Sequence, residues 1–288
     1  MIVGFRRTYS ITNTIMDLSA VPQVYVPYPG DQPSHPGRRC LNCTVHAGFM
    51  TSWRNARSAM ISKLSDTLTR YPDYQLVLVG HSLGGAVAAL AGLEFQIRGW
   101  KPQVTTFGEP RIGNKELARY IDQKFSLPSS SLSTPSIPSS LPDKSGGMFG
   151  IGKQEHDSSF HRVTHVNDPV PLLPLADWGY RMHAGEIYIS KPDLPPDISD
   201  LEMCEGDADP SCIANAELEN DLRVLSSIVP TQDGDYGNYL ENRWSLIPHR
   251  FRLWELFFSH RDYFWRLGVC LPNSGGLGGN KPSKYPEY

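Results

Sequence analysis

Short apolar runs alternate with helical stripes of apolar residues through most of the 288-residue chain. Met1 to Phe5 predicts a short buried strand. From Tyr9 to Leu18, the residues Ile11, Ile15, Met16 and Leu18 fall on roughly one face of a short helix. Val21 to Gly37 holds five prolines and predicts loop. Trp53 to Arg70 carries Trp53, Ala56, Met60, Leu64 and Leu68 at helical spacing, and Tyr71-Pro72 ends that helix. Gln75 to Val79 is β-rich without alternation, as a central parallel strand buried on both faces requires. Ala86 to Arg98 predicts the next helix, ending near Gly99. Val104 to Phe107 predicts a strand, Lys115 to Phe125 a helix, and Arg162 to Val166 and Glu186 to Ile189 further strands. Strands alternating with helices imply an α/β fold, a doubly wound and mostly parallel central sheet with helices on both faces. Ser126 to Gly152 is rich in Ser, Pro and Gly and reads as part of a disordered insertion loop spanning 126–157. Ile213 to Glu255 turns from polar to rich in Trp and Phe, and its pattern assigns it no role. There is no internal repeat.

The length suits one large α/β domain with a sizeable core. A net charge of -3 with no long block of one sign excludes the basic face of a nucleic-acid binder. No apolar run approaches the length of a membrane span, and Ala86 to Phe95 is interrupted by Gly92 and Glu94. Five cysteines are present. Cys40 and Cys43 form a C-x-x-C, Cys204 and Cys212 bracket a short acidic loop, and Cys270 stands alone. One C-x-x-C is half a zinc site, and no second pair completes it. Two local disulfides are the expectation, and they imply an oxidising compartment; five reduced thiols are the alternative. The first residues lack the pattern of a secretory signal and look like the middle of a strand.

Gly80-His81-Ser82-Leu83-Gly84 matches G-x-S-x-G, between the strand ending at Val79 and a helix of small residues. That context places a serine hydroxyl on a sharp turn at the carboxyl end of a strand. The helix that follows aims backbone N–H groups and a positive dipole end at a developing oxyanion. A serine hydroxyl alone is a poor nucleophile; it needs a histidine base oriented by a carboxylate. The acid candidates after Ser82 include Glu109, Asp122, Asp168 and Asp177. Asp168, in Asn167-Asp168-Pro169, sits in the turn past a strand's carboxyl end. The later histidines are His183, His249 and His260; His260 lies after every candidate acid, in His260-Arg261-Asp262-Tyr263-Phe264, where aromatic neighbours are suited to holding the imidazole in place. Spacing alone favours an ordinary core or surface residue for each histidine.

Taken together, these residues resemble the fungal class 3 lipase family, which also contains feruloyl esterases. Five blocks in order carry the resemblance: Val3 to Thr8 against the family's F-R-G-[ST] oxyanion turn, Gly80 to Gly85 (GHSLGG), Phe107 to Asn114 (FGEPRIGN), Val166 to Pro169 (VNDP) and His260 to Phe264 (H-x-x-Y-F). The resemblance implies an α/β-hydrolase fold with Ser82 as nucleophile, Asp168 as orienting acid and His260 as base. Thr8 takes the oxyanion-hole position and joins the backbone N–H of Leu83. Cys40 and Cys43 match a family disulfide, and Tyr9 to Leu18 falls where lipases carry an amphipathic lid. Such a helix covers an apolar cleft in water and turns over at a lipid surface; a helix packed permanently on the core gives the same spacing. No cofactor or metal is needed. The implied partner is a lipid or other ester substrate, at a lipid–water interface for a lipase, and secretion is expected.

The sequence departs from the family pattern in three places. Arg7 stands where the family has Gly, a residue suited to φ > 0. Thr14 stands where some lids carry Trp. The family's quarter-domain before the F-R-G turn is absent, so residues 1–288 read as a single N-terminally truncated domain, with Cys270 lacking its usual N-terminal partner. The resulting expectation is a lipase hydrolysing acylglycerol esters. The alternatives are a feruloyl or other short-chain carboxylesterase on the same scaffold, and a non-catalytic relative.

Overall fold

The computed structural model describes residues 1–5, 21–27, 40–128, 158–214 and 260–267. In chain order its strands begin with β1 (Ile2–Phe5), β2 (Pro22–Val24) and β3 (Thr44–His46), which runs into helix α1 (Ala47–Arg70). Then come β4 (Val77–His81), α2 (Leu83–Ile97), β5 (Gln103–Phe107), β6 (Gly113–Asn114) and α3 (Lys115–Phe125). The last described strands are β7 (Phe160–His165), β8 (Tyr180–Arg181), β9 (Glu186–Ile189) and β10 (Leu201–Met203).

The main sheet has the order β1-β4-β5-β7-β9-β10. Its first five strands are parallel and only β10 runs against its neighbour β9. Register brings the carboxyl ends of the central strands together, with His81 opposite Phe107 and Phe107 opposite Val163. The turns after β4, β5 and β7 therefore open onto the same edge of the sheet, where open α/β sheets place ligands.

The helix after β4 explains how that edge is held. From Gly84 to Phe95 every residue of α2 is buried, as a helix hydrophobic all round must be. Its one acidic residue, Glu94, accepts from Trp53 Nε1 at 3.2 Å, Arg57 Nε at 2.9 Å and Arg98 Nε at 2.9 Å. A buried carboxylate is tolerated because it is paired and hydrogen-bonded, and this one fastens α1 to α2.

Two expectations are corrected. Val21 to Gly37 is not loop throughout, because Pro22–Val24 forms β2, antiparallel to β3 at the border of a second sheet ordered β2-β3-β6-β8. Pro22 is tolerated as the first residue of an edge strand, where a missing donor costs no ladder bond. Residues 28–37 lie outside the described residues. The buried strand expected at the start is also not fully buried. β1 borders the main sheet as described, and Ile2 is 74% exposed. The disulfides Cys40–Cys43 and Cys204–Cys212 are both present, which removes Cys40 and Cys43 as zinc ligands; Cys270 lies outside the described residues. Ile213, at the start of the stretch without assigned role, packs in a small core with Leu172, Leu175 and Met182. Most of the insertion loop 126–157 is outside the described residues. Among the described residues, no helix is long and apolar enough to cross a membrane.

Candidate active site

Ser82 stands between the end of β4 and the first residue of α2 with φ 60° and ψ -129°. A left-handed φ is strained for any residue with a Cβ, and such strain concentrates at functional turns. Position 80 shows why the turn needs glycine. A Cβ there would lie 2.1 Å from the Gly84 carbonyl oxygen, 2.4 Å from its carbon and 2.8 Å from Gly85 N. The Ser82 N–H donates to the Phe107 carbonyl at 2.9 Å, locking the elbow to the end of β5. Leu83 heads α2, where first-turn N–H groups have no acceptor within the helix.

Asp168 lies in the turn after β7 and is fully buried, as is His260. His260 Nδ1 is 2.8 Å from Asp168 Oδ2 and 3.0 Å from Oδ1, and since an ionised carboxylate only accepts, Nδ1 donates. The Val170 N–H donates to Oδ1 at 2.9 Å and the Tyr263 hydroxyl to Oδ2. Burial alone would raise the Asp168 carboxyl. The charge of His260 and the donors from His260, Tyr263 and Val170 outweigh it and hold the group below the usual carboxylate value. The Tyr263 hydroxyl is pushed well above its ordinary value by burial and by the Asp168 charge beside it, so it stays a donor. On the far side of the ring, His260 Nε2 is buried with no hydrogen-bond partner among the described residues.

Gly108, the residue after β5, lines this cluster from below. Its φ is +55°, and a Cβ there would fall 2.5 Å from Tyr263 Oη, 2.8 Å from Asp168 Oδ2 and 2.8 Å from His260 Cε1. His81 Nε2 lies 2.6 Å from the His260 carbonyl oxygen. The elbow, the turn at Gly108, Asp168 and His260 thus form one contiguous constellation. It brings together the residue types from which a nucleophile, a base and an orienting acid can be drawn.

The other candidate acids lie elsewhere. Glu109 pairs with His183, whose Nε2 is 3.1 Å from Oε1. Asp177 is exposed in the short 3₁₀ turn Ala176–Trp178. Asp122 is buried in α3 and accepts the Ala184 N–H at 2.8 Å. His249, Thr8 and the lid residues Ile11, Ile15, Met16 and Leu18 lie outside the described residues, as does Arg7. Among the described residues, no group of three or more His, Cys, Asp or Glu is placed to hold a metal ion. The sequence assigns no part to Gly108 or His81, and of Tyr263 it gives an aromatic neighbour of His260 but not the hydroxyl that donates to Asp168. A glycine directly after a strand is the one signal for Gly108.

Asp122 carries a prediction of its own. Burial raises its carboxyl to about 6; His183, the Ala184 N–H and Arg162 pull against this, and Asp207 adds to it. An unfolded aspartate titrates near 3.9 as a rough reference. Between the two values the folded chain holds a proton that the unfolded chain has lost. Stability therefore falls as pH rises through about 4 to 6, by on the order of 3 kcal/mol, and is level above. Asp122→Asn keeps an acceptor for Ala184 and cannot ionise. Its melting temperature, relative to the native chain, is expected to climb from pH 4 to pH 7; a constant difference over that range would contradict the assignment.

Comparison with known proteins adds an independent line. The family model "Lipase (class 3)" matches residues 2–178. The chain is 46% identical over 290 residues to "Lipase A" of Sodiomyces alcalophilus and 45% identical over 289 residues to "Secreted mono- and diacylglycerol lipase 2" of Gibberella zeae. Each alignment covers 94% of this chain and 63% of the relative, so the chain spans less than two thirds of either protein's length. Among solved structures, the Lip2 lipase of Yarrowia lipolytica is similar with a TM-score of 0.58 at 31% identity, covering 73% of this chain and 64% of that one.

Proposed function

The chain belongs to the class 3 lipase family, and on that premise we propose that it is a serine hydrolase cleaving the ester bonds of acylglycerols through an acyl-enzyme on Ser82. The observation that carries this reading is the buried Asp168–His260 pair seated against the Ser82 elbow. Asp168 fixes His260 with its Nδ1 hydrogen toward the carboxylate, which leaves Nε2 as the basic nitrogen. Nε2 takes the Ser82 proton as Oγ attacks the ester carbonyl. The oxyanion that forms faces the Leu83 N–H and the positive end of α2. Thr8, from its position in the family motif, supplies the second donor. His260 returns the proton to the leaving alcohol, then draws one from water as water attacks the acyl-enzyme and gives it to Ser82 Oγ as the fatty acid departs. The ionised Asp168 stabilises the imidazolium in both halves.

The substrate class rests on relatives whose names specify lipases and mono- and diacylglycerol lipases. Secretion is proposed on two supports, the two disulfides and the relatives named as secreted. Hydrolysis by the purified chain tests the reading, with a soluble short-chain ester beside emulsified mono-, di- and triacylglycerols. The expected result is release of fatty acid from the emulsions and, with a phosphonate ester inhibitor, a covalent adduct mapped by mass spectrometry to Ser82. Turnover confined to the soluble ester would select the carboxylesterase alternative. A folded protein that turns over none of them and takes no adduct would sink both.

A further inference from the structure

We propose that His81, the residue between Gly80 and Ser82, is a positioning residue for the base; the inference rests on the roles proposed above for Ser82 and His260. Its Nε2 lies 2.6 Å from the His260 carbonyl oxygen. A carbonyl oxygen only accepts, so Nε2 carries the hydrogen and donates. The two imidazoles lie against each other, with centroids 4.4 Å apart and planes tilted by 37°, and His81 meets the Tyr263 ring edge-on at 5.8 Å.

The position of a catalytic ring depends on its backbone as much as on its rotamer. The Asp168 bond fixes the rotation of the His260 ring through Nδ1, yet a ring held only there would still shift with its loop. The His81 bond fixes the backbone of the same residue. His81 ends β4 directly opposite Phe107 at the end of β5. Phe107 in turn touches Tyr263 at 5.6 Å and Phe264 at 6.4 Å between centroids. Residues 260–264 therefore rest on a seat made by two paired strand ends. One of those ends is covalently continuous with Ser82, so nucleophile and base share a single rigid frame. The gain is alignment, where a displacement of about 1 Å costs roughly 10²-fold in rate.

Two variants separate the tether from simple ring packing. Glutamine places an amide N–H at about the reach of Nε2 without a ring, and phenylalanine keeps a ring without the donor. His81→Gln is expected to keep kcat on a soluble ester within a few-fold of native. His81→Phe is expected to lower kcat roughly 10- to 100-fold with KM unchanged, the pattern of an interaction that matters in the transition state alone. Native-like kcat in His81→Phe overturns the proposal, and so does a folded His81→Gln as impaired as His81→Phe. Should His81→Phe fail to fold, His81→Ala takes its place as the variant without the donor, and native-like kcat in it overturns the proposal. Ser82→Ala and His260→Ala run alongside: if these stay active, the proposed function has failed, whereas if they are inactive and both His81 variants are native-like, only the tether has.

Discussion

Ser82→Ala and His260→Ala are each expected to lower ester hydrolysis by about 10⁴- to 10⁶-fold, and the double variant to lose little more than either alone. The reason is that, in the mechanism proposed, the two side chains act in one step. Without His260 the serine proton has no acceptor, and without Ser82 the base has no nucleophile to activate. What survives is the contribution of the oxyanion donors and of substrate binding, which neither substitution touches. Independent sites would instead give multiplying losses, so rates for the two single variants and the double one on a soluble ester decide the matter. Multiplying losses would mean that Ser82 and His260 serve different steps. The folded state of Ser82→Ala should be nearly unchanged, because only a hydroxyl is removed. His260→Ala is the costlier of the two, since the buried Asp168 then keeps only the Tyr263 and Val170 donors.

Gly80→Ala is the second change with a large expected effect, and it acts through the backbone. The added carbon would sit 2.1 Å from the Gly84 carbonyl oxygen and 2.4 Å from its carbon. Neither atom belongs to a side chain that can rotate away, so β4 and α2 must move apart where they meet. Overpacking that only a backbone shift can relieve costs about 3–5 kcal/mol, at the severe end of single substitutions. In a chain of this size that lowers the melting temperature by roughly 10 °C. Ser82 lies inside the displaced turn, so activity should fall at least 10²-fold even at temperatures where the variant stays folded. Gly4→Ala is the matching control, because nothing among the described residues lies within 4 Å of the carbon it adds, and it should leave both stability and rate close to native. Thermal unfolding and ester turnover of the pair check this. A Gly80→Ala protein as stable and active as Gly4→Ala would mean that the elbow is looser than its geometry requires.

Local signals were legible in the sequence and long-range ones were not. Lys115–Phe125 and Glu186–Ile189 have the bounds their patterns predict, because a strong apolar period bounded by turn residues decides them locally. Pro22–Val24 went unseen as a strand. Three residues starting with proline carry no period, and their conformation is set by pairing with Thr44–His46 across the chain. Ile2 reads as buried by composition, and its exposure follows from the place of β1 at the border of the sheet. In the site, Ser82 announces itself because its motif and both flanking elements are contiguous. The Asp168–His260 contact joins residues 92 positions apart, and spacing held no preference among the histidines; only the family resemblance did. The parts of Gly108 and His81, and the Tyr263 hydroxyl's bond to Asp168, depend on which atoms meet behind the imidazole, which no pattern along the chain encodes.

The seat of the base also orders events in time. Ser82 and Asp168 sit in the turns after β4 and β7, whose strand pairings span at most the 75 residues from Ile2 to Val77, whereas His260 reaches His81 across 179 residues. Contacts of such separation form late, since the loop must close before the contact rewards it. A chain that stops between Ser82 and residue 260 would hold the proposed nucleophile without its proposed base, and is expected to turn over esters only at the residual rate of His260→Ala. Turnover by this protein would therefore certify that synthesis and docking had both run through to the base.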